Sequence, residues 1–443
     1  MNVFAKFRIA FLFVGMLCGI IPMIAAPTET YITPVSDEIL IAISSLVPSG
    51  QTPSEKDFNR AKDCGFNATF VKGNADDAAT IIDDASESNL KLLIVNNTAK
   101  FENYKSKDYI PSLDNLVKAY SQYKNVVGYD LSDEPSWESL PDLKQRYDIF
   151  ENVLKKYKSN QFLCINIVGV STRHYSSKLT YPEYVNHIAE LFSPNQISMD
   201  FYPILQFPGQ KKIEVRYQQF YLDLAALASM REKYGIPFWS HCMTMEHSNN
   251  EGYYQPRPTE GYLRFEAYSA LAYGAQGLIH WSYSQRPSNA SETYLSAPIN
   301  LKGEKTNVWN RVRNVNREIR AYNPVFFNAV PLKCVHTGDV ASKIQHKGYT
   351  AADAAKEILP EVKITSQKDG VLISHLKNGR KRYIVMANQN PFKSQRINFS
   401  LPEGYKYKEY TSSNGRLKIS GLSAHKLSRR LKAGGILVLE YTK

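Results

Sequence analysis

The 443-residue chain has little of what marks a disulfide-rich, metal-binding or dinucleotide-binding protein. It holds five cysteines, and none lies in a CxxC or similar ligand spacing. Cys164 and Cys242 fall within apolar predicted strands, where we expect buried free thiols. No glycine-rich phosphate loop follows the first predicted strand. The sequence therefore predicts neither a metal nor a cofactor.

The first 26 residues have the pattern of a secretory signal peptide. Lys6 and Arg8 precede an apolar run that ends before Ala25 and Ala26. An uncleaved membrane anchor is the alternative, but the run is short and is interrupted by two glycines and a proline. No later apolar segment is long enough to span a bilayer. We expect a secreted or periplasmic protein with no transmembrane segment after cleavage.

The positive charge is concentrated in the C-terminal part. The whole chain has a formal net charge of +12, and residues 331–443 alone carry 21 Lys and Arg against 8 Asp and Glu. Two interpretations stay open, a solvated surface without a partner and a module that approaches an anionic polysaccharide or a cell surface. Clustered aromatic and basic residues are missing, so no nucleic-acid partner is expected.

Short apolar strands alternate with amphipathic helices over residues 38–327, within a predicted barrel domain that covers residues 27–330. Eight such strand–helix units fill about 290 residues, the length of a (β/α)8 TIM barrel. The predicted strands cover residues 39–45, 68–72, 91–96, 126–132, 162–168, 196–202, 237–245 and 277–283.

The pattern changes near residue 331. Helix signals fade, and short alternating strands are separated by turns such as Lys377-Asn378-Gly379. Residues 331–443 are therefore predicted to form a small antiparallel β-sandwich, with an uncertain segment at 338–361.

Two predicted barrel strands end in glutamate. Strand four reads VVGYDLSDEPSW and ends at Asp133 and Glu134, and strand seven leads into Glu246. Carboxylates at strand ends lie at the mouth of a barrel, where active sites are built. Retaining glycoside hydrolysis needs two such groups, one that protonates the leaving oxygen and one that attacks the anomeric carbon.

The region around Glu246 resembles the family 42 β-galactosidases of clan A glycoside hydrolases. The similarity is carried by MEHS at 245–248, QPR at 255–257 and GAQG at 274–277. It implies a retaining, metal-independent glycosidase acting on a carbohydrate, with Glu246 as the nucleophile and Glu134 as the acid/base. Clan A usually has asparagine where this chain has Asp133, so the substrate need not be a galactoside.

Other polar and aromatic residues near the strand ends are candidate sugar contacts. Trp137 follows the acid closely enough to stack on a sugar, and the resemblance makes Tyr202 a candidate partner of the nucleophile. Either Trp281 or Tyr283 could be the tryptophan-like platform of strand eight. The remaining substrate-binding candidates are Asp133, Asn96, Asn166, Asp200 and Arg257. Structural roles are predicted for Asp130, His241 and His280.

Two other functions remain open. The adjacent Asp133 and Glu134 resemble the pair of substrate-assisted N-acetylhexosaminidases, in which an aspartate orients the 2-acetamido group. A carbohydrate-binding protein without catalysis is the other alternative. Hydrolysis of a 2-acetamido substrate compared with its 2-hydroxy counterpart separates the first from the two-glutamate mechanism.

Overall fold

The computed structural model of the protein describes residues 37–97, 104–170, 179–346 and 348–443. The predicted signal peptide at residues 1–26 lies outside these ranges. Within them, no helix combines the length and apolar character that a membrane crossing requires. The four cysteines in these ranges are buried and free.

Eight parallel strands close into a barrel, as the sequence predicts. Each strand pairs with its neighbours in sequence, and the first also pairs with the last. The barrel strands are β1 Leu40–Ile43, β2 Ala68–Lys72, β3 Lys91–Val95, β4 Val126–Asp133, β5 Phe162–Val168, β6 Ile197–Asp200, β7 Phe238–Met243 and β8 Gly277–Trp281.

Helices surround the barrel, and four of the eight begin at a side-chain cap. Ser54 and Thr180 each form a capping box with an acidic residue three positions later. The barrel helices are α1 Glu55–Asp63, α2 Ala78–Ser86, α3 Tyr109–Tyr120, α4 Leu140–Lys156, α5 Tyr181–Phe192, α6 Tyr217–Tyr234, α7 Glu260–Ala272 and α8 Asn307–Ala321.

The barrel interior is filled by side chains. Phe162 and Trp239 meet edge to face there, with ring centroids 5.8 Å apart. Gly277 makes room for the indole, because a Cβ at this position would lie 2.5 Å from Trp239. Since helices cover the outer face and packed side chains fill the inner one, the strands read as nearly continuous apolar runs.

Two antiparallel sheets form the C-terminal sandwich. Its strands are β9 Val330–His336, β10 Tyr349–Thr350, β11 Lys363–Ser366, β12 Val371–Asn378, β13 Lys381–Asn388, β14 Gln395–Ser400, β15 Lys406–Ser413, β16 Arg416–Leu422, β17 Lys426–Leu431 and β18 Ile436–Thr442. The larger sheet has the order β10-β9-β12-β13-β18-β15-β16, and the smaller one has the order β11-β14-β17. Strand β9 begins at Val330, next to the boundary expected from the sequence.

The sandwich packs against α7 of the barrel. Eleven of the thirteen residues of this helix are buried. The Ser374 hydroxyl of the sandwich donates to the carbonyl of Ala272 at 2.7 Å, and the Tyr273 hydroxyl lies 2.7 Å from Nε2 of His336. A Cβ at Gly261 would lie 2.2 Å from the carbonyl oxygen of Pro391, so only glycine allows this close approach.

Candidate active site

A polar cavity of about 230 Å³ opens at the carboxyl ends of the barrel strands. This is the end at which barrel enzymes place their active sites. Acidic, amide, imidazole and aromatic side chains converge in it from several strands. Its lining consists of Ser44, Ser45, Phe70, Val95, Asp130, Asp133, Cys164, Asn166, Ser198, Asp200, His241, Ile279, Trp281 and Arg286.

A β-bulge in β4 decides which of its acids face the cavity. The pairing register with β5 shifts between Asp130 and Ser132. In a regular strand, residues three apart lie on opposite faces, whereas a bulge inserts one residue and re-aims the side chains after it. Asp130 and Asp133 therefore both line the cavity.

Asp133 is fixed by a short chain of hydrogen bonds across three strands. The Nδ2 of Asn166, on β5, donates to Oδ1 of Asp133 at 2.8 Å. The Oδ1 of Asn166 in turn accepts from the hydroxyl of Ser198, on β6, at 2.9 Å. The structure thus brings the predicted contacts Asp133 and Asn166 together in the lining of the cavity.

Asp200, Tyr202 and His241 form a second cluster beside this chain. The Tyr202 hydroxyl lies 3.1 Å from Nδ1 of His241, and Oδ1 of Asp200 lies 3.7 Å from the same nitrogen. Burial lowers the pKa of His241 to about 4, against the opposing charges of Asp133 and Asp130. Burial, supported by the charge of Asp133, raises the pKa of Asp200 to about 7. His241 is therefore uncharged at neutral pH, whereas Asp200 titrates near neutral pH.

His241 offers a polar atom to a ligand. Its Nε2 is buried and has no hydrogen-bond partner among the described residues. The side chain lines the cavity, so this nitrogen is available to a sugar hydroxyl. The sequence predicts a structural histidine here, since its position within an apolar strand gives no sign of the cavity.

Glu134 directly follows β4 on an exposed turn. Its φ is +47°, a left-handed conformation that is uncommon for residues other than glycine and clusters at functional sites. Its N–H donates to the carbonyl of Asn166 at 2.9 Å. Burial, and then the negative charge of Glu134, raise the pKa of Tyr184 on α5.

Glu246 lies beyond the barrel strand rather than at its end. Strand β7 ends at Met243, two residues before the predicted end. Glu246 opens a separate strand, Glu246–Asn249, in a small antiparallel sheet with Tyr254–Gln255 and Glu292–Leu295. This excursion could not be read from the apolar pattern, because Met245 continues the run of β7 while it packs against Tyr294 and Ala297.

The carboxylate of Glu246 is held by two partners from the segment that follows it. Oε1 accepts from the Tyr254 hydroxyl at 2.9 Å, and Oε2 accepts from Nε of Arg257 at 3.1 Å. Burial opposes ionisation, but hydrogen bonds from Tyr254, Arg257 and Ser296 outweigh it and lower the pKa of Glu246. Glu246 is therefore an anion at neutral pH. Tyr254 occupies the place that the resemblance suggested for Tyr202.

Aromatic rings connect Glu246 to the cavity. Trp281 lines the cavity and lies 5.6 Å from Tyr202 and 5.7 Å from His247, measured between ring centroids. Tyr283, the other candidate platform, is fully buried, and its hydroxyl accepts from Nε1 of Trp309 at 3.1 Å. Of the two, Trp281 is the ring that a sugar can reach.

Two other candidates have structural contacts. Trp137 packs against His187 of α5 at a centroid distance of 4.8 Å. The Nδ2 of Asn96 donates to the carbonyl of Gly73 and to Oδ1 of Asn74, at 2.7 and 2.9 Å. Asn96 lines a neighbouring depression over β2 and β3, so it is separate from the Asp133 cavity.

The described ranges contain no group of three or more His, Cys, Asp or Glu side chains arranged to hold a metal ion. Asp133 instead accepts a hydrogen bond from the amide of Asn166, and Asp200 lies beside His241 and Tyr202. Carboxylates at the mouth of a (β/α)8 barrel, with an aromatic platform beside them, are the parts of a glycosidase site.

Comparisons with known proteins agree with this class. The model of the glycoside hydrolase family 42 β-galactosidases matches residues 142–322. This confirms the resemblance predicted from the sequence. The matched segment contains Glu246, Arg257 and Trp281, but it begins after Glu134. No curated protein matches the chain.

Solved structures show the same architecture over most of the chain. A β-galactosidase from Bacillus circulans sp. alkalophilus has a TM-score of 0.61 at 10% identity and covers 91% of this chain and 99% of its own. A catalytic mutant of Gan42B, a family 42 β-galactosidase from G. stearothermophilus, has a TM-score of 0.57 at 10% identity, with coverages of 94% and 100%. The protein thus has the fold of the family 42 β-galactosidases, and the family match supports glycoside hydrolysis.

Proposed function

We propose that the protein is a secreted, metal-independent glycoside hydrolase that cleaves an oligo- or polysaccharide with retention of configuration. The state of Glu246 carries the proposal. Its side chain is 13% exposed, yet Tyr254 and Arg257 keep it ionised just beyond the carboxyl end of β7, within the segment similar to family 42. A glycosidase nucleophile must remain an anion in a partly desolvated site.

In the proposed reaction, a carboxylate oxygen of Glu246 attacks the anomeric carbon as the glycosidic bond breaks. Glu134 gives its proton to the departing oxygen. Glu134 then removes a proton from water, which attacks the same carbon and releases Glu246. For a retaining mechanism, we expect the carboxyl groups of Glu134 and Glu246 to lie about 5–5.5 Å apart in the sugar-bound enzyme.

The choice of first substrate follows from the similar structures, which are β-galactosidases by name. Aryl β-galactosides should therefore head the panel, followed by other aryl glycosides and by polysaccharides. Chelation should leave activity unchanged, because the two carboxylates supply both the proton and the nucleophile. The proposal of secretion is based on the predicted signal peptide at residues 1–26. N-terminal sequencing of protein recovered from outside the cytoplasm tests whether this segment is removed.

Variants of the two glutamates test the mechanism. Glu246→Ala should abolish turnover, and added azide should restore it with a glycosyl azide of inverted configuration. Glu134→Ala should slow substrates with basic leaving groups most, because an activated aryl group needs little protonation. Azide with that variant should give the retained configuration.

Glu251→Ala is the matched control, since it removes an exposed carboxylate five residues from Glu246. It should leave turnover within twofold of the parent enzyme. Near-normal activity of Glu246→Ala on substrates that the parent cleaves would exclude the two-glutamate mechanism. Binding of sugars with no turnover on the whole panel would favour the non-catalytic alternative.

The substrate-assisted hexosaminidase is a second candidate, favoured by one observation. Asp133, rather than a strand-end asparagine, lines the cavity and is oriented by Asn166. An aspartate so held could position a 2-acetamido group. Preference for a 2-acetamido glycoside over its 2-hydroxy counterpart, together with an active Glu246→Ala variant, would establish this mechanism instead.

A further inference from the structure

The smaller sheet of the sandwich presents a positively charged surface to solvent. Opposed residues in a sheet share a face, and the register pairs Arg396 with Arg430 and Ser400 with both Lys426 and Lys363. All four cations are exposed. We call Lys363, Arg396, Lys426 and Arg430 the basic face.

The opposite side of this sheet has a different character. Phe399, Leu427 and Ile364 are opposed there and pack into the sandwich core. The sixteen residues of the three strands contain no Asp or Glu, so the basic face has no acid of its own. Within these three strands, therefore, no acid offsets the positive charge.

Among the described residues, these cations have no carboxylate partner, unlike other cations of the same domain. Arg429 pairs with Glu409, Arg382 pairs with Glu357, and Lys408 contacts Glu440. Within the described ranges, no ion pair within 4.0 Å involves a residue of the basic face. Arg396 and Arg430 donate instead to the hydroxyls of Ser428 and Ser394, at 3.3 and 3.0 Å.

The arrangement favours an anionic ligand with regularly repeated charges. Like charges directly opposite each other destabilise a sheet, so the Arg396–Arg430 pair costs stability unless an anion lies over it. Guanidinium groups bind carboxylates and sulfates through paired hydrogen bonds. Serines and Asn398 beside the cations add neutral hydrogen-bonding groups.

The face also lacks the rings on which bases or neutral sugars stack. Phe399, the one aromatic residue in the three strands, belongs to the core side. Binding would then depend on charge, which separates this surface from single-stranded nucleic-acid platforms. The basic face itself carries no apolar side chain that could enter a lipid layer.

We propose that the basic face binds an acidic polysaccharide through its carboxylate or sulfate groups, outside the barrel cavity. The choice of a polysaccharide among anionic polymers rests on the proposed glycosidase function. The evidence for an anion site is independent of that function, because it comes from the register and exposure of the basic face. Polygalacturonate and dextran sulfate represent the two anion chemistries, and unmodified dextran is the neutral reference.

The experiment measures binding of the full chain to these polymers at increasing salt. The parent should bind at least one acidic polymer and not dextran, and binding should weaken steeply with salt because exposed charges are screened over about 8–10 Å. The double variant Arg396→Ser with Arg430→Ser should lose at least tenfold in affinity. Arg416→Ser with Lys418→Ser, which removes equal charge from β16 of the other sheet, should lose less than twofold.

Equal losses in the two double variants would overturn the assignment, because net charge alone would then explain binding. Stronger binding to duplex DNA or to phosphatidylserine vesicles than to either polymer would show that the partner class is wrong. Thermal unfolding and aryl glycoside turnover report separately on folding and on the barrel. Turnover that persists without polymer binding rejects only this inference, and binding without turnover rejects only the proposed catalysis.

Discussion

The carboxyl group of Glu266, on α7, accepts a hydrogen bond from the backbone N–H of Met243 at 2.8 Å. Met243 is the last residue of β7, three positions before Glu246. Glu266 is buried, and burial raises its pKa to about 8, against the opposing bond from Met243. A neutral acid on a helix therefore fixes the strand that leads into the proposed nucleophile.

The burial of Glu266 predicts a pH-dependent stability. The carboxyl binds its proton more tightly in the folded chain than in the unfolded chain, where its pKa is near 4.5. The free energy of unfolding should therefore fall as pH rises from 4.5 to 8, by up to about 1.4 kcal/mol per pH unit from this group. Glu266→Gln keeps an acceptor for Met243 and should flatten that slope.

Denaturant unfolding of both proteins across that pH range measures the difference, with Glu251→Gln as an exposed control. Asp200 titrates in the same window in both proteins, so only the difference between them reports on Glu266. Parallel curves for the parent and Glu266→Gln would contradict the prediction.

Tyr254→Phe should raise the pKa of Glu246, because it removes one of the hydrogen bonds that stabilise the anion. Glu246 must be ionised to act as the proposed nucleophile, so the acidic limb of the kcat/KM profile should move to higher pH, by about one unit. Tyr253→Phe, a change at the exposed neighbouring ring, should leave the limb in place. Identical kcat/KM pH profiles for Tyr254→Phe and Tyr253→Phe would show that the Tyr254 hydroxyl does not lower the pKa of Glu246.

Trp281 and Tyr283 should respond in opposite ways. Trp281→Ala removes the ring that lines the cavity and should raise KM roughly threefold to tenfold. Tyr283→Phe removes the acceptor for Trp309 and should cost about 1 kcal/mol of unfolding free energy while KM is unchanged. A raised KM for Tyr283→Phe together with an unchanged KM for Trp281→Ala would show that Tyr283, rather than Trp281, contacts the sugar.

Asp133→Asn distinguishes the two mechanisms. The substituted amide can still accept from Asn166, so the cavity geometry should persist. A two-glutamate enzyme should retain activity on 2-hydroxy glycosides. Because the charge of Asp133 raises the pKa of Asp200 and His241, both values should fall, which titration by NMR can follow. Loss of all activity in this variant would favour the substrate-assisted route.

The barrel could be predicted because its strands are apolar runs that alternate with helical segments. The site was less accessible to prediction, since one inserted residue in β4 changes which acids face the cavity. A bulge has no signature in the letters YDLSDE, and regular alternation would place Asp130 and Asp133 on opposite faces of the strand. Tyr254, eight residues after its partner Glu246, could be recognised only once the small sheet paired the two segments.

The sandwich shows a similar limit. Strand β17, with the sequence KLSRRL, escapes detection because Arg429 occupies a core-side position between Leu427 and Leu431. Its ion pair with Glu409 replaces the expected apolar contact. The basic face was foreseen only as an excess of charge over residues 331–443, because register alone decides which cations share a surface.

The burial of α7 limits how the chain can be divided. The helix has barrel on one side and sandwich on the other, and both Ser374 and Pro391 lie against its backbone. A chain shortened at residue 330 would expose this apolar surface to water and would tend to aggregate. Limited proteolysis should accordingly release no stable barrel fragment, and heating should unfold the barrel and the sandwich together.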